Sequence, residues 1–157
     1  MSSFMKAFRK TINKQLGEIL LERGVISRAQ LETALKEQKT LGLLFGEALV
    51  VLKYATEEDI VQALTCQYGF PYLPLSNYEI APEVVAAVPL DICKKYCLVP
   101  IDKIGRSLTL AMANPLNVQA LEEVERVTSC AVQAFVSTAT DIKNGIKRYY
   151  ESGDAAP

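Results

Sequence analysis

The feature that most constrains this chain is an internal repeat. When residues 15–38 (QLGEILLERGVISRAQLETALKEQ) are laid over residues 44–67 (LFGEALVVLKYATEEDIVQALTCQ), Gly17, Glu18, Leu20, Ala34, Leu35 and Gln38 meet Gly46, Glu47, Leu49, Ala63, Leu64 and Gln67 as identities. Leu16/Phe45, Leu21/Val50, Ser27/Thr56 and Leu31/Ile60 are conservative. Matches this dense in so short a stretch point to one unit duplicated, and such a unit folds the same way twice. Each copy reads as a short helix opening at its glycine, a turn, and a second helix. Ser27 and Thr56 are the predicted N-caps, since a hydroxyl there accepts from a backbone N–H two or three residues on. Glu57, Glu58 and Asp59 follow Thr56, where carboxylates complement the helix dipole. In the second helices Leu31, Ala34, Leu35 and Gln38, and likewise Ile60, Ala63, Leu64 and Gln67, recur at i, i+3, i+4 and i+7. Core packing accounts for most of the leucines, and the paired glycines and glutamines carry the stronger functional signal.

Ahead of the repeat, residues 1–14 (MSSFMKAFRKTINK) hold Lys6, Arg9, Lys10 and Lys14 with no acid, and Phe4, Met5, Phe8 and Ile12 at helical spacing. The spacing predicts a basic amphipathic lead helix. Such a stripe either packs on its own domain or docks, through Phe4, Phe8, Arg9 and Lys10, onto an acidic partner or a membrane surface.

After Tyr68-Gly69-Phe70-Pro71 the texture changes. Pro71, Pro74, Pro82 and Pro89 punctuate a connector, with short helices expected at 82–87 and 91–96 and the prolines in their first turns. Leu98 to Ile104 and Ser107 to Met112 read as strands of a hairpin, Asn117 as the cap of a helix to about Thr128, Ala131 to Ser137 as a third strand, and Thr140 as the start of a last helix through Tyr150. The expected fold class is α+β: a helical subdomain of two tandem helix-turn-helix repeats, then a small α/β subdomain with a three-stranded sheet. The expected division is a lead helix at 1–13, the duplicated subdomain at 14–72, the α/β subdomain at 73–150 and a tail at 151–157.

Composition narrows the chemistry. The 157 residues include no histidine, which removes the usual triad base and the commonest zinc ligand. The four cysteines form no C-x-x-C pair, so no metal is expected and free thiols in a reducing cytoplasm are. Lysine and arginine number 17 against 18 acids, a net charge of -1 that recruits no nucleic acid. No apolar run approaches the roughly 20 residues that cross a bilayer, and no signal peptide opens the chain. Glu122 and Glu123 fall on a predicted helix as a solvated face, Tyr149 and Tyr150 read as packing, and Cys66 has no histidine to activate it. A non-enzymatic role follows.

The duplicated string, in the form R-L-G-x-x-L-V-x-x-G followed by a leucine-rich helix ending A-L-x-x-Q, resembles the MshEN-type N-terminal domain of type II secretion and type IV pilus assembly ATPases. Tyr96-Cys97-Leu98-Val99-Pro100, the run Leu108 to Pro115, and the Ile142 to Tyr150 ending are similar to the rest of that region. The resemblance spans about 14–150 and implies a cytoplasmic module that in some members binds cyclic di-GMP and in others docks onto the secretion apparatus. It implies one half-site of Gln15, Leu16, Gly17, Leu20, Leu21, Gly24, Leu35 and Gln38, and another of Leu44, Phe45, Gly46, Leu49, Val50, Leu64 and Gln67. Two copies suit a two-fold symmetric dinucleotide: glycine-opened helix N-termini for phosphate, leucines for the base, arginines to stack on guanine. Here the arginine positions hold Gln15 and Leu44, the second closing glycine is Lys53, and no G-K-[ST] phosphate loop occurs. The expected role is therefore a stand-alone docking module without the ATPase domain and without a cofactor. Its expected partner is a platform protein or ATPase of the pilus or secretion machinery, with membrane contact only through that partner or the lead helix. A cyclic di-GMP receptor with a degenerate site is the alternative.

Overall fold

A computed structural model describes residues 15–151, which fall into two compact units meeting in sequence between Gly69 and Phe70. The lead segment, with Phe4, Phe8, Arg9 and Lys10, and the tail lie outside the described residues.

In the first unit, helix α1 includes 15–22, α2 spans Arg28–Leu41, α3 Phe45–Val51 and α4 Glu57–Tyr68. The two copies repeat their capping and turn-closing bonds at the 29-residue offset. Ser27 Oγ accepts from Gln30 N at 3.1 Å while Gln30 Oε1 accepts from Ser27 N at 2.9 Å, and Thr56 with Asp59 makes the same reciprocal pair at 3.1 and 2.9 Å. The turn between helices is closed by Val25 N donating to Leu20 O and by Tyr54 N donating to Leu49 O, both at 2.9 Å. It passes through a left-handed residue in each copy, Gly24 at φ 72° and Lys53 at φ 62°. Leu16, Leu20, Ala34, Ala48, Leu49, Ala63 and Leu64 have no exposed surface, and they form the core of this unit with Phe45, Leu31 and Ile60.

In the second unit a short 3-10 turn, Leu75–Asn77, precedes α5 (Pro82–Val85) and α6 (Leu90–Tyr96). Strands β1 (Leu98–Ile104) and β2 (Ser107–Met112) form an antiparallel hairpin, helix α7 (Val118–Thr128) crosses over, and β3 (Ala131–Val136) lies parallel to β2. Helix α8 (Ala139–Ile146) closes the unit and widens into a π turn at Lys147–Glu151. The central strand β2 is buried from Leu108 to Met112 because both of its neighbours pair with it and helices cover the sheet.

Several boundaries differ from expectation for local reasons. The last helix is capped by Thr138, whose hydroxyl accepts from Asp141 N at 3.1 Å, and so begins before Thr140. Pro89 stands at the N-cap of α6 rather than inside its first turn, and α5 stops at Val85. The third strand ends at Val136, one residue short, because Ser137 turns its hydroxyl onto Leu73 O at 3.0 Å. Register shifts between Pro100 and Asp102, leaving Ile101 in a bulge. The segment after the unit boundary lies along the outer edge of β3, with Val136 N donating to Pro71 O and Leu73 N to Val136 O. Gly46 is the second residue of α3, which opens at Phe45, and Gly17 follows two residues of α1 that are already helical, so neither helix is glycine-opened.

Candidate functional site

All fifteen candidate ligand residues lie in the first unit, and burial divides them sharply. Leu16, Leu20, Phe45, Leu49 and Leu64 are at most 3% exposed. The leucine surface expected for a base is, at these positions, the inside of the helical core. Gly17 is also buried, whereas Gln15, Gly24 and Gln67 are exposed, and Leu21, Leu35, Gln38, Leu44, Gly46 and Val50 are half-buried.

The paired glycines have a packing reason. A Cβ on Gly17 would run into the Leu31 Cδ1 methyl, and one on Gly46 would meet the Ile60 Cδ1 methyl at 3.5 Å. Leu31 and Ile60 are themselves repeat equivalents, so each glycine lets the second helix of its copy lay an aliphatic side chain against the backbone of the first. Of the paired glutamates, Glu47 caps its helix: its Oε1 accepts from Leu44 N at 3.2 Å at the start of α3. The Gln38 carbonyl accepts from both Gly42 N and Leu43 N where α2 ends.

An open cleft of about 380 Å3 lies in the second copy, where the turn after α3 meets the first turn of α4. Val50, Tyr54 and Ala55 supply its apolar part, and Lys53, Glu57, Glu58 and Asp59 its charge. Three carboxylates against one ammonium give a field that repels a phosphate diester and attracts a cationic group. Only Val50 is shared with the fifteen candidates. The sequence signal for this cleft is the acidic first turn of α4, whose carboxylates also complement the helix dipole. In the first copy the equivalent residues are Arg28, Ala29 and Gln30, so the acidic character belongs to one copy alone.

Several other reactive side chains are occupied structurally, while Cys66 is an exposed free thiol. Glu123 accepts from the Tyr96 hydroxyl and lies 3.7 Å from Lys95 Nζ, so it is not part of the solvated face expected for Glu122 and Glu123. Tyr149 donates to Tyr78 O and accepts from Ile80 N, both at 3.2 Å. Tyr150 Oη lies 2.7 Å from Val85 O and 3.0 Å from Val88 O, and burial pushes its phenol pKa upward. Burial likewise pushes the Cys93 thiol up to about 11, against a smaller lowering by its bond to Tyr150, so it is a neutral thiol near pH 7. Among the described residues no group of three histidine, cysteine or acidic side chains is placed to hold a metal, and no helix is long and apolar enough to cross a membrane.

Comparison with known proteins adds the following. The MshEN domain model matches residues 68–156, more than half of the chain; the duplicated helices precede this match. The chain is 32% identical over 136 residues to the type IV pilus assembly ATPase PilB of Myxococcus xanthus, which covers 87% of the chain but only 24% of that protein. The chain thus spans about a quarter of this relative's length. Among solved structures it is similar to MshE with cdg, with a TM-score of 0.65 and 28% identity, covering 86% of this chain and 98% of that one. The N-terminal domain of XpsE shares its fold, with a TM-score of 0.71 and 21% identity over 87% of this chain and 94% of that one.

Proposed function

Because the chain belongs to the MshEN domain family, we propose that it acts as a non-catalytic docking module of a type IV pilus or type II secretion machinery, receiving a basic segment of a protein component in the α3–α4 cleft. The observation that supports this reading is the cleft itself: apolar at Val50, Tyr54 and Ala55, acidic at Glu57, Glu58 and Asp59, and open to solvent. A platform protein or an assembly ATPase is the natural source of such a segment, since PilB is among the relatives.

The test is co-purification of the full chain with the cytoplasmic part of a platform protein, and with an assembly ATPase lacking its own N-terminal domain. The paired charge reversal Glu57→Lys with Glu58→Lys weakens binding at least tenfold if the cleft is the contact, and undiminished binding rejects it. Deleting residues 1–13 in parallel measures what Phe4, Phe8, Arg9 and Lys10 contribute.

A cyclic dinucleotide receptor is the second reading, supported by the likeness to MshE with cdg over nearly all of that chain. Against it stand Gln15 and Leu44 at the arginine positions and the burial of five expected contacts. Two lost guanidinium stacks weaken binding by roughly 1 to 4 kcal/mol. Titration calorimetry separates the readings: Gln15→Arg with Leu44→Arg restores cyclic di-GMP binding if only the arginines are missing, and no heat from either protein removes the receptor reading.

A further inference from the structure

The β1–β2 hairpin of the second unit ends in a two-residue turn, Gly105-Arg106, with Ile104 and Ser107 as the last pair before it. Ile104 is 74% exposed, more than any other large hydrophobic side chain among the described residues. Lys103 and Arg106 flank it, both exposed. The C-terminal end of α7 leads toward the same edge of the sheet: the helix ends at Thr128, and three residues on, at the start of β3, Ala131 N donates to Arg106 O at 2.7 Å. That end carries exposed Arg126 and Val127, the latter 42% exposed. Among the described residues none of the three cations forms an ion pair. Asp102, two residues down the strand from Ile104, about 7 Å, turns its carboxylate onto Lys103 N, while exposed Glu122 and Glu125 lie within four residues of Arg126 on α7.

We propose that this apex is a peripheral docking point for an anionic lipid surface, with Ile104 entering the interface and Lys103, Arg106 and Arg126 meeting the headgroups. Charge complementarity supplies the attraction, since each cation near an anionic leaflet strengthens binding about fivefold. The apolar area favours lipid over protein. The apex offers two exposed aliphatic side chains, Ile104 and Val127, far less than the roughly 800 Å2 per partner that a stable protein interface buries. A lipid interface yields around a projecting side chain and needs no matching groove. One apex of this size gives weak, reversible contact, the kind that adds to a second attachment. The inference does not depend on the α3–α4 cleft, which lies in the other unit.

The test uses the full chain and vesicles of phosphatidylcholine with 30% phosphatidylglycerol, read by flotation and by fluorescence. The chain has no tryptophan, so Ile104→Trp places a single reporter at the apex. Emission shifting to shorter wavelength with anionic vesicles, but not with phosphatidylcholine alone, is the expected result. Ile104→Ser lowers retention severalfold, and Lys103→Ala with Arg106→Ala and Arg126→Ala lowers it about a hundredfold at low salt, with the melting temperature unchanged. The idea is overturned if these variants float like the parent chain, which would assign lipid contact to residues 1–14. It is equally overturned if no vesicle binding occurs at millimolar lipid, or if the variants lose an acidic protein partner while lipid retention stays the same.

Discussion

Replacing Lys53 by glycine should make the protein more stable although it removes a side chain. Lys53 holds φ at 62°, the position where the first copy uses Gly24 at φ 72°. A side chain with a Cβ pays roughly 1 to 2 kcal/mol to sit there. Glycine removes that strain but adds about 0.5 to 1 kcal/mol of unfolded-chain freedom, so the net gain centres on about 0.75 kcal/mol within a range of roughly 0 to 1.5 kcal/mol. Lys53 also faces Glu57, Glu58 and Asp59 across the cleft, and losing its charge acts in the opposite direction. Lys53→Ala loses the same charge while keeping a Cβ, so the difference between the two variants isolates the backbone. For a chain of this size, Lys53→Gly should melt about 1 to 4 °C above Lys53→Ala by circular dichroism. Amide exchange at Tyr54, which donates to Leu49 O across the turn, should slow in step. A glycine variant no more stable than the alanine one, at low and high salt alike, would show that the turn is not strained and that the argument from the repeat fails.

Gly17→Ala should cost about 1 to 3 kcal/mol because its methyl collides with Leu31, whereas Gly46→Ala, with Ile60 at 3.5 Å, should be neutral or slightly stabilising through helix propensity; urea midpoints compare them. The Cys93 thiol rises from 9.0 to about 11 on folding, so its contribution is full below pH 9 and drains away between pH 9 and 11. Cys93→Ala should flatten the fall of stability across that window, and an unchanged slope would contradict the assignment. Tyr149→Phe should cost about 1 to 3 kcal/mol in denaturant titration, since it leaves the amide of Ile80 and the carbonyl of Tyr78 without that partner.

What sequence could reveal was mostly local. Ser27, Thr56 and Asn117 cap the helices they were expected to cap, because an N-cap acts within three residues of itself. The hairpin turn at Ile104-Gly105-Arg106 was equally plain. Thr138 and Thr140 are both credible caps, and only the bond to Asp141 N decides between them. The bulge at Ile101 and the bonds of Tyr149 and Tyr150 to residues more than sixty positions away leave no local trace. In the site, the glycine pair was visible but its cause was not. Equal spacing from Leu31 and Ile60 becomes meaningful only once the helices are packed, and the acidic cleft appears only when the turn brings Val50 and Tyr54 beside Glu57.

The left-handed turn shared by Gly24 and Lys53 bears on how such a module changes over evolutionary time. The second copy holds the same turn with Lys53 where the first has Gly24, so its shape is set by the surrounding core and its closing backbone bonds and not by a glycine at that position. A lineage can therefore rewrite the outer residues of one copy, as Lys53, Glu57 and Glu58 illustrate, while the other copy and the common interior preserve the shape. Duplication here provides a surface free to acquire a new partner without refounding the fold.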